Sequence, residues 1–132
     1  MPRFCVVLDT NVFVGAGFNP DSASAELIAS VRDGTLRMPW SEATRAETRR
    51  ILEKIPPLAW DDVADLFLAD ARVEVTVDEE RFADVPDAED RKFAALALEA
   101  GAILVSSDRH LLDHVEGVEV RPPGRWWRDG RD

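Results

Sequence analysis

A single cysteine in 132 residues, Cys5, has nothing to pair with, so an intramolecular disulfide is excluded and a reducing compartment is expected. Histidine is almost as scarce, at two residues, and no cluster of cysteine and histidine at metal-ligand spacing exists. The chain is also short of basic charge: 16 lysines and arginines stand against 26 aspartates and glutamates, for a net charge of -10. That balance excludes a module that grips nucleic acid through a broad basic face. It leaves room for an enzyme whose acids converge on divalent cations, because a bound cation neutralises them locally and then attracts phosphate. Long apolar runs are missing as well. With neither a signal-like segment nor a membrane span in view, a cytoplasmic protein without membrane association is expected.

What the chain does have is apolar content, 45% of its residues, enough to bury a core without a disulfide or structural metal. A single domain over 1–132 is expected, with a core at about 3–120 and a tail at 121–132. Phe4 to Leu8 is a continuous apolar run rich in valine, the mark of a strand buried on both faces in a parallel sheet covered by helices. Asp9 follows it directly. A carboxylate there lies at the carboxyl edge of the sheet, where open α/β folds place their ligands, with Thr10 and Asn11 as polar neighbours. The competing reading makes these three residues a helix cap or a turn.

The segment after Asn11, with two glycines and Asn19-Pro20, reads as a turn or the ragged start of a helix. A helix is expected over 21–33, capped by Asp21 or Ser22 and stopped by Gly34, then a short strand from Leu36 to Trp40. Ser41 caps a further helix that ends before Pro56-Pro57. In that helix Ala43, Glu47 and Ile51 fall four residues apart, so Glu47 stands in a stripe suited to the interior; the alternative is a surface glutamate paired with a nearby arginine. Residues 60–71 read as an amphipathic helix and Val73 to Val77 as a half-buried or edge strand.

The helix beginning near Asp90 is the plainest in the chain. Asp87 can cap it, Asp90 can complete a capping box, and Gly101 stops it. Asp90 nevertheless shares a face with Ala94, Ala97 and Leu98, small residues that allow close packing on a sheet. Ala102 to Ser106 then repeats the opening pattern, a short buried strand followed at once by Ser107 and Asp108. A short helix, a last strand at Val118 to Val120, and a tail with Trp126 and Trp127 among arginines complete the reading. The tryptophan pair fits packing on the body or a partner better than contact with RNA.

Taken together, VVLDTN, the glutamate of AETRRIL, DAEDRKFAALALEAGA and ILVSSDRHLL resemble the PIN-domain family in order and spacing, up to about Val120. The resemblance implies a three-layer α/β/α sandwich on a parallel sheet of order 3-2-1-4-5, and acids that bind Mg²⁺ or Mn²⁺ to hydrolyse RNA. It assigns the acids to Asp9, Glu47, Asp90 and Asp108, with Asn11 and Ser107 as supporting polar positions. Asp9 and Asp108 would be the principal metal ligands, Asp90 would complete the site, and Glu47 would act through water. Asp87 competes with Asp90 for the third position. The resemblance also implies a bacterial toxin that forms homodimers and is held by a cognate antitoxin. Arg45, Arg49, Arg91 and Arg109 are candidates to border the RNA. An RNA-processing PIN nuclease outside a toxin system and a catalytically silent PIN-like binding module are the alternatives, with a haloacid-dehalogenase-like phosphatase ranked below them; the phosphatase would need an aspartate where Asn11 stands. Four carboxylates gathered without metal should force at least one to keep its proton to an elevated pH.

Overall fold

In the computed structural model, which describes residues 4–113, 115–124 and 126, the chain is organised around β1 (Val6–Leu8), whose three residues are all buried. Strand β1 pairs in parallel with β2 (Ile103–Val105), which pairs in parallel with β3 (Val120–Arg121). On the other side of β1 the ladder continues through single bridges, Cys5 to Arg37 and Trp40 to Arg72, both parallel. The segments therefore lie side by side in the order 71–73, 37–40, 5–8, 103–105, 120–121, the 3-2-1-4-5 arrangement expected. Two of the expected strands are too short to count as such. Pro39 has no amide to donate in the first. In the second, Glu99 takes the amides of Thr76 and Val77 at 2.6 and 3.2 Å, the groups a neighbouring strand would need.

Alternation along β1 sends Val6 and Leu8 into one core and Val7 into another, which is why both faces must be covered. The first face carries α1 (Thr10–Phe18) and α2 (Ala23–Arg32), through Val12, Phe13, Leu27 and Ile28. The second carries α4 (Ala88–Ala100), whose Phe93, Ala94, Leu96 and Ala97 pack with Val7 and Leu104. The helix α3 (Glu42–Glu53), capped by a reciprocal Ser41 and Thr44 pair, packs against both α1 and α4. A short α5 (Arg109–Asp113) follows β2.

Two expectations fail instructively. The glycines after Asn11 do not break the chain; they lie within α1, and a Cβ on Gly17 would stand 2.4 Å from the Leu58 side chain, so glycine there permits close packing. Residues 60–71 are not a helix but three separate 3-10 turns. Tertiary bonds pull the backbone out of helical register: Trp40 donates its indole N–H to the Leu68 carbonyl at 2.7 Å and its amide to Ala71, while Arg32 takes the Asp62 carbonyl. Phe67, which a helix would have aimed at one neighbour, instead packs with Phe13, Trp40 and Trp60 together. Trp126 packs back on the body, edge-on to Phe4 at 5.9 Å, with the Arg121 guanidinium over its ring. Arg125, Trp127 and Arg128 lie outside the described residues.

Candidate active site

The register of β1 on β2 carries the site. Val7 faces Leu104 and Leu8 faces Val105, so the next pair along is Asp9 and Ser106, and the Asp9 amide still bonds the Val105 carbonyl at 3.0 Å. Ser106, fully buried, donates its hydroxyl to Asp9 Oδ2 at 2.7 Å and accepts the Asp108 amide at 3.0 Å. One hydroxyl thus fixes both the first and the fourth acid. Asp9 occupies the N-cap position of α1, but the closest partner of its carboxylate is the Ser106 hydroxyl just past β2 rather than the first turn of that helix.

Asp9 is 3% exposed, and burial pushes its carboxyl above the ordinary range; the Ser106 hydroxyl and the amides of Thr10 and Asn11 oppose the shift, while the charge of Asp108 adds to it. Asp90 shifts further, to about 7, through burial first and then the charges of Asp9, Asp87 and Asp108, together with a hydrogen bond to the Asp108 carboxyl. The expected retention of a proton at an acid cluster is met by this residue. Asp87 is exposed and spends its carboxylate on the Glu89 amide at 2.9 Å, so it does cap α4, whereas Asp90 is half-buried and turned to the other acids. Both line the cavity, and they differ in that Asp87 caps the helix while Asp90 faces the acids.

Glu47 reaches the same place from α3. The Thr10 and Thr48 hydroxyls, 3.2 Å apart and buried, pin the middle of α3 to the start of α1 just beyond Asp9. A cavity of about 250 Å³ opens there, lined by Asp9, Thr10, Asn11, Glu47, Asp87, Glu89, Asp90 and, among cations, Arg50, with Ile51 and Phe93 as its apolar floor. Glu47 is buried, as its stripe predicts, and also paired: Arg50 holds both of its oxygens. The two readings of that glutamate were not exclusive. Glu89 is held below the usual carboxylate range, chiefly by the Lys92 ammonium and next by a hydrogen bond with Glu47.

Of the supporting positions, Asn11 lines the cavity, whereas Ser107 is exposed and it is Ser106 that holds the acids. Strand parity could have found it, since Ala102, Leu104 and Ser106 alternate onto one face, but only once the partner register was known. The basic candidates are mostly engaged elsewhere. Arg45 and Arg49 lie over the Trp60 ring at 5.2 and 5.8 Å, and Arg91 bonds the carbonyls of Ala83 and Val85; Arg109 is exposed.

The donors around the cavity are mainly carboxylates, with Thr10 and Asn11 beside them and neither cysteine nor histidine among the lining residues, the oxygen chemistry hard divalent ions take. As the side chains stand, no group of three or more acids, histidines or cysteines among the described residues is close enough to hold a metal ion. Two consequences can be measured without one. Ser106→Ala should leave Asp9 Oδ2 and the Asp108 amide without their shared partner and cost about 1–3 kcal/mol in urea denaturation. For Asp90 the folded pKa lies above the unfolded one, so between about pH 4 and pH 7 the unfolded chain sheds a proton that the folded state keeps. Its contribution is therefore fully present below pH 4 and lost by pH 7. The metal-free protein should lose stability across that window, and Asp90→Asn should flatten the decline in midpoints measured against pH.

The fold is similar to several solved structures. These include the crystal structure of VapBC2 from Rickettsia felis bound to a DNA fragment from their promoter, at 16% identity over 90% of this chain and 98% of that one, with a TM-score of 0.62. FitAB bound to an IR36 DNA fragment follows at 18%, 89% and 94%, with a TM-score of 0.60. PAE2754 from Pyrobaculum aerophilum stands at 18%, 91% and 92%, with a TM-score of 0.54. At such identities the likeness is one of fold. No curated protein matches the sequence. A family model described as PIN domain, however, matches residues 5–110, a span that holds Asp9, Glu47, Asp90 and Asp108, and the chain belongs to the PIN-domain family.

Proposed function

We propose that this chain is an Mg²⁺- or Mn²⁺-dependent endoribonuclease acting as the toxin of a toxin-antitoxin pair. PIN domains are generally nucleases, which supports the hydrolase class. The observation that supports the site assignment is the convergence of Asp9 and Asp90 on one cavity, with the Ser106 hydroxyl joining Asp9 to the Asp108 backbone beside it. In this reading Asp9, Asp90 and Asp108 would hold the cation, and Glu47, reaching the cavity from α3, would orient the attacking water. Once bound, a divalent ion would lower the pKa of water and relieve negative charge on the phosphate. The protein's own contribution is to hold the acids: Ser106 sets the orientation of Asp9, and the Thr10 and Thr48 pair sets the distance of α3 from it. To serve as a ligand, Asp90, whose carboxyl is pushed up to about 7, would have to be deprotonated.

The antitoxin partner rests on the family resemblance and on the fold neighbours VapBC2 and FitAB, both seen bound to DNA. RNA as substrate and a homodimer rest on the resemblance alone. The phosphatase reading loses its support with the family assignment. The binding module is kept as a second reading by the pairing of Arg50 with Glu47 and the absence of ready metal spacing among the described residues. The deciding experiment incubates the protein with structured RNA and Mn²⁺. Internal cleavage that stops on chelation supports the nuclease, and intact RNA with no Mn²⁺ binding by calorimetry supports the binding module.

A further inference from the structure

Five carboxylates share the cavity wall, those of Asp9, Glu47, Asp87, Glu89 and Asp90, and among its described lining residues Arg50 is the one cation. Its guanidinium holds both oxygens of Glu47. Nη2 donates to Oε1 and to Oε2 at 2.9 Å each, and Nε donates to Oε1 at 3.1 Å. The burial is lopsided: the Glu47 side chain is 9% exposed and that of Arg50 48%. The acid is therefore fixed in the wall while its partner stands on the solvent side. Because the two are three residues apart on one helix, the pair can open by side-chain rotation alone, with no movement of α3.

A carboxylate with both oxygens on one guanidinium has little left to offer a metal or a metal's water shell. Glu47 cannot serve Arg50 and a divalent cation fully at the same time. We infer that Arg50 is a positioning residue that holds Glu47 in place where the cation's water shell would otherwise meet it, and that the hydrated cation must displace it. The inference rests on the proposed metal-dependent function and deepens it, since it makes cation affinity a property set by a residue that is not itself a ligand. It also explains how so acidic a wall coexists with a buried glutamate before any metal arrives.

The test needs no RNA. Mn²⁺ is titrated by calorimetry into the wild type, Arg50→Ala, Glu47→Gln and the double variant, each checked for fold by circular dichroism. Removing Arg50 should tighten Mn²⁺ binding roughly three- to tenfold, the worth of a well-formed but half-exposed ion pair. In the Glu47→Gln background the same removal should change affinity less than twofold, because the effect travels through that acid. Arg50→Lys, which keeps the charge but not the bidentate geometry, should fall between wild type and Arg50→Ala. Equal tightening in both backgrounds would reduce the effect to charge repulsion across the cavity and overturn the inference, as would no tightening at all. A wild type that binds no Mn²⁺ would overturn the nuclease reading and this inference with it, an outcome distinct from the other two.

Discussion

Under the proposed function, Asp9→Asn should cut RNA cleavage by about a thousandfold or more while leaving the thermal midpoint of the metal-free protein unchanged or raised. The two halves of that expectation have one cause. Burial pushes the Asp9 carboxyl up, which means the fold tolerates its charge poorly, and the nearby Asp108 charge makes matters worse. Asparagine has the same shape, and its carbonyl oxygen can still accept the Ser106 hydroxyl. It removes the charge that the fold resists and, with it, the metal ligand that the proposed chemistry needs. Loss of several kcal/mol of charge stabilisation in the transition state corresponds to three decades or more in rate. Cleavage assays and a thermal melt on the same preparation check both halves. Retained cleavage would remove Asp9 from the machinery, and a large fall in midpoint would make it a structural residue.

Leu104→Ala should destabilise the protein by about 2–5 kcal/mol, the range for emptying a fully buried leucine position. Leu104 is in the middle of β2, pairs with Val7 on one side and with Val120 on the other, and packs in the core shared with α4. A cavity at that point loosens the strand that sets Asp9 beside Ser106 and the helix that carries Asp90. Denaturant titration should show the midpoint falling with little change in slope. Residual activity per folded molecule should also drop, because the acids lie just beyond this pair of strands.

Much of the site was legible before any coordinates, for identifiable reasons. β1 and β2 announce themselves because each is a short apolar run buried on both faces and followed directly by polar residues. The helices α3 and α4 carry their own caps, in Ser41 and Asp87, and each places one acid in a stripe otherwise meant for the interior. What could not be read was whatever depends on a distant partner. Residues 60–71 have helical spacing, yet the bonds that break the helix come from Trp40 and Arg32. The glycines of α1 look like breakers until Leu58 is seen beside Gly17. Ser106 was passed over for Ser107 because choosing between adjacent serines requires knowing which strand lies alongside. Arg50 was only one of several arginines near Glu47, and no spacing rule selects among them.

The contact between Phe4 and Trp126 brings one more consequence. It buckles the far end of the chain to the residue just ahead of β1, at the opposite pole of that strand from Asp9. Anything fused or bound near Trp126 would tug on the entrance of the central strand and leave the end that carries Asp9 untouched. Labels, tags or surfaces attached there would change how firmly the molecule holds together before they disturb the acids.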